Sequence, residues 1–161
     1  MTKTHIYVAE PGLHLAEAAA IWARATAARD NDPEVAPLSL ALPLIERVIE
    51  SSPRARLLIA EADGRIVGFA AVEPMPADES TAHIRYLGVD PENWGSGVGR
   101  HLTTELPTLL TTIGYTHGEL EVYLDNPRAV ELYEALGWLP HGDAAPHPRS
   151  GRLEQRYRLT F

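Results

Sequence analysis

The stretch Trp94-Gly95-Ser96-Gly97-Val98-Gly99-Arg100 decides how the rest of this chain is read. It follows Ile84-Arg85-Tyr86-Leu87-Gly88-Val89, which reads as a strand, and Asp90-Pro91. Beyond it, Val98, Leu102, Leu106, Leu109 and Ile113 recur at helical spacing. The glycines therefore sit at a strand-to-helix junction. Glycines at alternate positions remove the side chains that would hold a bulky anion off the backbone. The first turn of the helix adds unpaired N–H groups at its positive end. The expected ligand is a phosphate or pyrophosphate.

Upstream, His5 to Ala9 suggests a strand, and Leu13 to Ala28 fits an amphipathic helix with Trp22 in the core, ended by Asp30-Asn31-Asp32-Pro33. Pro37 to Ser51 has helical spacing, but Pro43 lacks a backbone donor, which predicts a break or a helix start there. Leu57 to Ala60 and Ile66 to Val72 flank Asp63-Gly64, the clearest hairpin signal, because Asp-Gly supplies positive φ angles. Pro74 and Pro76 predict a loop, and His83 to Val89 the strand that feeds the glycines. Its alternation puts His83, Arg85, Leu87 and Val89 on one side.

Downstream, Pro107 predicts a kink in the helix that Gly114 closes. Leu120 to Leu124 reads as a strand. Asn126-Pro127 then starts a helix with Asn as N-cap, and Gly137 stops it. Trp138-Leu139 begins a short strand, Pro140 to Gly151 is a loop, and Leu153 to Phe161 is the last strand.

The 161 residues suffice to bury one core, and no repeat or linker divides them, so 1–161 reads as a single domain. With no cysteine, a disulfide framework and a thiol nucleophile are excluded. No apolar run approaches a membrane span and no secretory signal is indicated, so a soluble cytoplasmic protein is expected, without a membrane partner. A net charge of −8 disfavours nucleic acid as a partner. The seven histidines include no close ligand pair, so no metal site is expected.

Three nucleotide motifs can be tested on the glycine stretch. A P-loop needs Lys and then Ser or Thr after the last glycine, where this chain has Arg100-His101. The dinucleotide fingerprint needs G-x-G-x-x-G after a first strand, whereas Gly95, Gly97 and Gly99 are spaced G-x-G-x-G. The third uses more of the chain: Leu87-x-Val89-x-Pro91, the glycines, then Leu120-x-Val122, Asn126, Ala129, Tyr133 and Gly137-Trp138. This ordered set resembles the GNAT superfamily of N-acetyltransferases. Trp94 departs from the pattern, since that family usually has Gln or Arg there.

The resemblance implies an α/β (α+β) fold, one GNAT-like domain with a mixed, mainly antiparallel sheet flanked by helices. It implies acetyl-CoA or a related acyl-CoA as cosubstrate and an acyl-CoA-dependent N-acyltransferase. In that family the strand matching Leu87 to Val89 splays from the strand matching Leu120 to Leu124, and the pantetheine arm enters the gap. Leu87, Gly88 and Val89 then pair with the arm, the Val89 N–H polarises the thioester carbonyl, and Trp94, Gly95, Ser96, Gly97, Val98, Gly99 and Arg100 hold the pyrophosphate. Asn126 reaches the cofactor. Tyr133, on the same face of its helix, offers its hydroxyl to the departing sulfur.

The attacking amine must be neutral, so a base is required. Glu73, His83 and Glu121 are the candidates, with Glu73 preferred. Asp30, Asp32 and Glu34 are candidates for attracting an amine. The expected acceptor is a small-molecule amine. A peptide or protein amine is the alternative, an idle acyl-CoA-binding module is a third reading, and a homodimer is kept open.

Overall fold

The computed structural model describes residues 3–161. Strand β1 (Thr4–Val8) is followed by helices α1 (Leu15–Arg29) and α2 (Leu38–Glu50), then by strands β2 (Arg56–Ala62), β3 (Arg65–Met75) and β4 (Asp78–Val89). A short 3-10 turn at Pro91–Asn93 leads to helix α3 (Val98–Thr112), strand β5 (His117–Tyr123) and helix α4 (Pro127–Ala135). Strands β6 (Leu139–Pro140), β7 (Ala145–Pro146) and β8 (Leu153–Thr160) complete the order. The sheet runs β1-β2-β3-β4-β5-β8-β6, with β7 also on β8. All the pairings are antiparallel except β4 with β5, which is parallel.

Both faces of the sheet are covered, so the central strands read as nearly continuous apolar runs. Alternation divides them. Leu57, Ile59, Phe69 and Ala71 pack with Ile21 of α1 and Ile45 and Val48 of α2. Leu58, Ala70, Val72, Ala82, Ile84, Leu120 and Val122 face Leu102, Leu106 and Leu110 of α3 and Tyr133 of α4. Those three leucines recur one turn apart and are fully buried, each contributing about 1.5–3 kcal/mol. Gly118 allows β5 to pass beneath two rings, since a Cβ there would lie 2.8 Å from Phe161 and 2.8 Å from Trp138.

Several local expectations need correction. Helix α2 neither breaks nor starts at Pro43. It starts at Leu38, with Pro43 inside and exposed, and the carbonyl that lost its partner belongs to the exposed Ser39, which is open to solvent. Helix α3 holds Pro107 within its length. Pro74 lies in β3 rather than in a loop, beside the register shift between Pro74 and Met75, and an irregular rung tolerates a missing donor. Strand β4 therefore begins at Asp78, whose carboxylate accepts bonds from Ser80 and Thr81. The Pro140 to Gly151 segment holds the short strand β7, and the buried Trp138 precedes β6 rather than beginning it. The Asp63-Gly64 turn is as expected, with φ of 52° and 73°.

Candidate active site

Strands β4 and β5 stay together for only three rungs: Thr81 with His117, Ala82 with Gly118 and His83 with Glu119. Beyond His83, β5 keeps its pairing with β8 through Tyr123, and β4 keeps its pairing with β3 through Val89. The two central strands fork, and the fork opens a cleft of about 1190 Å³. A bulge marks the parting, because Ala71 pairs with Tyr86 and Val72 with Ile84, leaving Arg85 without a rung. The extra residue bends β4 and strengthens its twist. It also reverses the alternation, so His83 and Leu87 do not share a face as simple alternation predicted. Ala82 and Ile84 face α3 before the bulge, as Leu87 does after it, and Tyr86 turns to the α1 side.

One wall of the cleft is made of backbone. Asp90 N–H bonds to the Val67 carbonyl on β3, so by strand geometry the N–H and C=O of Val89 point the other way, toward the cleft. The Trp94 indole donates to the Val89 carbonyl at 2.8 Å, which leaves the Val89 N–H as the free group there. Gly95 and Gly97 have φ of 81° and 91°, a left-handed conformation costly to residues with a side chain. Gly97 caps α3 without a side-chain bond, and the N–H groups of Val98, Gly99 and Arg100 meet no acceptor among the described residues. Buried Asp90 anchors this loop, accepting from Glu92 N–H at 3.2 Å and from Arg24 of α1 at 2.7 Å.

Leu87, Gly88, Val89, Trp94, Gly95, Gly97, Val98, Gly99, Arg100, Asn126 and Tyr133 all line the cleft. Gly88 is small for packing, since a Cβ there would meet the Phe69 ring at 3.0 Å. Ser96 lies outside the lining and donates to the Asn93 carbonyl. Asn126 caps α4, accepting from Ala129 N–H at 3.3 Å. Tyr133 packs edge-on against Trp138 with ring centroids 6.1 Å apart. Its hydroxyl has no hydrogen-bond partner among the described residues, and burial pushes its pKa up to about 12.

The opposite wall is made of side chains, and the sequence expectations fared unevenly on it. Glu73 is outside the lining, its carboxylate 3.5 Å from Arg85. His83 and Glu121 do line the cleft, with Nε2 2.8 Å from Oε2. Burial acts to raise the Glu121 pKa, but the bond to His83 and the nearby charges of His83, Arg85 and Arg156 hold it below the usual value. Asp30 is not free to attract an amine. It pairs with Arg29 at 2.9 Å and Arg152 at 3.4 Å, and the Arg29 bond holds its pKa down. Asp32 accepts instead from Glu34 N–H.

Residues on this wall that sequence patterns did not single out come from distant elements. Trp22 packs partly buried against the α1-side core, as expected, and also lines the cleft edge-on to Tyr86, 6.1 Å between centroids. The Arg152 guanidinium lies 3.8 Å from the centroid of the Tyr123 ring and donates to Asp125 at 2.6 Å. With its Asp30 contact it ties the end of α1 to the β5–α4 loop. No spacing signal announces such contacts, because 122 positions separate Asp30 from Arg152.

A sheet forked between two parallel central strands, with a glycine-rich helix start on one lip, is the architecture that the ordered sequence motifs led one to expect. The chain belongs to the acetyltransferase (GNAT) family, whose profile matches residues 15–138. That family uses acetyl-CoA as cosubstrate. Among relatives, the chain is 36% identical over 87 residues to mycothiol acetyltransferase of Streptomyces coelicolor, covering 54% of this chain and 28% of that protein. The match thus spans little more than a quarter of that relative. Among solved structures, the Escherichia coli ribosomal-protein-S18-alanine N-acetyltransferase superposes with a TM-score of 0.74 at 22% identity, over 98% of this chain and 94% of the other. A Salmonella typhimurium protein solved with its cofactor acetyl-CoA gives 0.71 at 19% identity, over 98% and 94%. Among the described residues no helix is long and apolar enough to cross a membrane.

Proposed function

We propose that this chain transfers an acetyl group from acetyl-CoA to the amine of a small molecule by direct attack. The observation that carries the reading is the β4–β5 fork, with free amides on one lip and the unpartnered Tyr133 hydroxyl inside. The free N–H groups of Val98, Gly99 and Arg100 fit the negative charge of a pyrophosphate, and Gly95 and Gly97 keep side chains out of its path. Leu87 and Val89 offer backbone groups to the pantetheine arm. The Val89 N–H donates to the thioester carbonyl as charge builds on its oxygen, an effect worth ~3–4 kcal/mol per donor.

Tyr133 acts as a hydrogen-bond donor to the leaving sulfur. With its pKa pushed up to about 12 and a thiol near ~8.5, full proton transfer would cost about 5 kcal/mol, so the thiolate takes its proton from solvent. No cysteine is present to form a covalent acyl enzyme. A small acceptor is favoured because Arg152, tied to Asp30 and Asp125, occupies part of the cleft lining. The mycothiol acetyltransferase relative agrees with a small acceptor.

Calorimetry with acetyl-CoA, followed by thiol release across an amine library and a peptide panel, tests the reading. Micromolar binding and amine-dependent thiol release are expected. Turnover only on peptides would move the acceptor class, and binding without turnover on any amine would make this an idle acyl-CoA-binding module. Failure to bind any acyl-CoA would end both readings.

A further inference from the structure

The acceptor amine must lose a proton as it attacks, and the carboxylate that sequence reasoning preferred, Glu73, is held by Arg85 outside the cleft lining. His83 and Glu121 stand elsewhere. His83 is the last residue of β4 still paired with β5, and Glu121 lies two residues beyond its rung partner Glu119. The two side chains therefore meet at the crotch of the fork, where Nε2 and Oε2 are 2.8 Å apart and the side chains are 12% and 31% exposed.

Their placement relative to Tyr133 suits the reaction. Leu120 and Val122 of β5 share their face with Tyr133, so by alternation Glu121 projects from the other face, toward the α1 side where Trp22 and Tyr86 meet. A proton acceptor thus sits on one face of the fork and the thiolate-supporting hydroxyl on the other. An amine can enter from the first side while the sulfur leaves toward the second.

The chemistry of the pair determines which nitrogen is available. An ionised carboxylate accepts hydrogen bonds and donates none, so the ring nitrogen bonded to Glu121 must carry the hydrogen. Nε2 is then the donor, and the lone pair is on Nδ1, which has no partner among the described residues. The lowered pKa of Glu121 agrees with its being ionised at neutral pH.

We propose that His83 accepts the proton of the acceptor amine on Nδ1, and that Glu121 is a positioning residue that holds the ring and its tautomer. This rests on the acyl-transfer reading above. The amine nitrogen forms the new C–N bond, becomes acidic, and gives its proton to Nδ1. The C–S bond breaks with its electron pair on sulfur, supported by Tyr133. His83 returns its proton to water, and the thiolate takes one from water.

The other charges around the imidazole are compensated. Glu119 on β5 lies 3.8 Å from Arg156 of β8, Arg85 on β4 pairs with Glu73 of β3, and Arg29 at the end of α1 pairs with Asp30. Glu121 is the carboxylate that the imidazole meets directly.

The test is the pH profile of kcat/KM for a small amine in wild type, His83→Ala, His83→Gln and Glu121→Gln, with acetyl-CoA affinity measured alongside by calorimetry. His83→Ala should lose about 100-fold or more, lose the acid-side fall of the profile, keep its acetyl-CoA affinity, and regain rate with added imidazole. Glu121→Gln should lose about 10-fold with acetyl-CoA affinity kept and should mix the two ring tautomers in the nitrogen-15 spectrum, because an amide no longer demands the hydrogen on Nε2. A wild-type profile in His83→Ala would overturn the proposal. Nitrogen-15 NMR of the ligand-free wild type decides the tautomer even if no amine is turned over. A ring protonated on Nε2 supports the proposal, and one protonated on Nδ1 overturns it. Absence of acyl-CoA binding, by contrast, would count against the function and leave the NMR result to judge the dyad.

Discussion

The two walls of the cleft are built by different means. The wall toward α3 presents backbone: the amide of Val89 and those of Val98, Gly99 and Arg100, in a loop whose Gly95 and Gly97 have positive φ. The wall toward α1 presents side chains held by one another: His83 with Glu121, Arg85 with Glu73, and Arg152 with Asp125 and Asp30. A backbone wall recognises what every acyl-CoA shares and resists change at most positions, because substitution leaves amides in place. A side-chain wall can be rewritten one residue at a time. Under the proposed function, cofactor binding falls to the first and acceptor choice to the second.

The sharpest way to break this contrast is Gly97→Val. A Cβ there meets nothing within 4 Å, so the damage comes from the φ of 91° and not from a clash. Forcing a β-branched residue into that region costs about 1–3 kcal/mol or moves the amides, and acetyl-CoA affinity should fall by about 100-fold. Unchanged affinity in calorimetry would mean the loop does not hold the cofactor. Tyr133→Phe should have a smaller and different effect. Losing a hydrogen bond to a charged sulfur, worth about 1.5–3 kcal/mol, lowers kcat about 10- to 100-fold, with acetyl-CoA affinity kept. A wild-type kcat would remove Tyr133 from the chemistry.

The mildest effect belongs to the side-chain wall and is read in stability. Glu121 has a folded pKa below its ordinary 4.5. Its contribution is therefore fully present above the unfolded value and is lost as pH falls through the folded one. Because the side chain is partly exposed, the contribution is about 1 kcal/mol or less. In urea titrations at stepped pH, Glu121→Gln should lose less stability than wild type on going from pH 6 to pH 3. Equal slopes would show that the His83 contact does not stabilise the fold.

The same contrast explains what the sequence allowed one to read. The backbone wall announces itself because only glycine suits Gly95 and Gly97, and the Asn126-Pro127 helix start is a local pattern. The mixed, mainly antiparallel sheet flanked by helices followed from the same ordered motifs. What escaped was the bulge at Arg85, which needs the register against Ala71 and Val72 to be seen, and it inverted the expected facing of His83 relative to Leu87. The prolines misled for a related reason. Pro43 and Pro74 break local rules, but an exposed helix face and an irregular rung absorb the missing donors. Glu73, the preferred base in sequence, pairs with Arg85 at 3.5 Å outside the cleft lining, and Trp22 packs against the core while also lining the cleft, a second role that no local pattern signals.

Trp94, the departure in the glycine motif, also gives the protein a built-in optical reporter. The chain has three tryptophans, and they are distributed around the cleft: Trp94 exposed on the lip with its indole N–H on the Val89 carbonyl, Trp22 on the α1 wall beside Tyr86, and Trp138 buried behind Tyr133. Indole emission follows the polarity and hydrogen bonding around the ring. Ligand arriving at the lip alters the surroundings of Trp94, and an amine arriving at the far wall alters those of Trp22. Single-tryptophan variants would therefore separate the order in which the two substrates enter, by fluorescence and without any label.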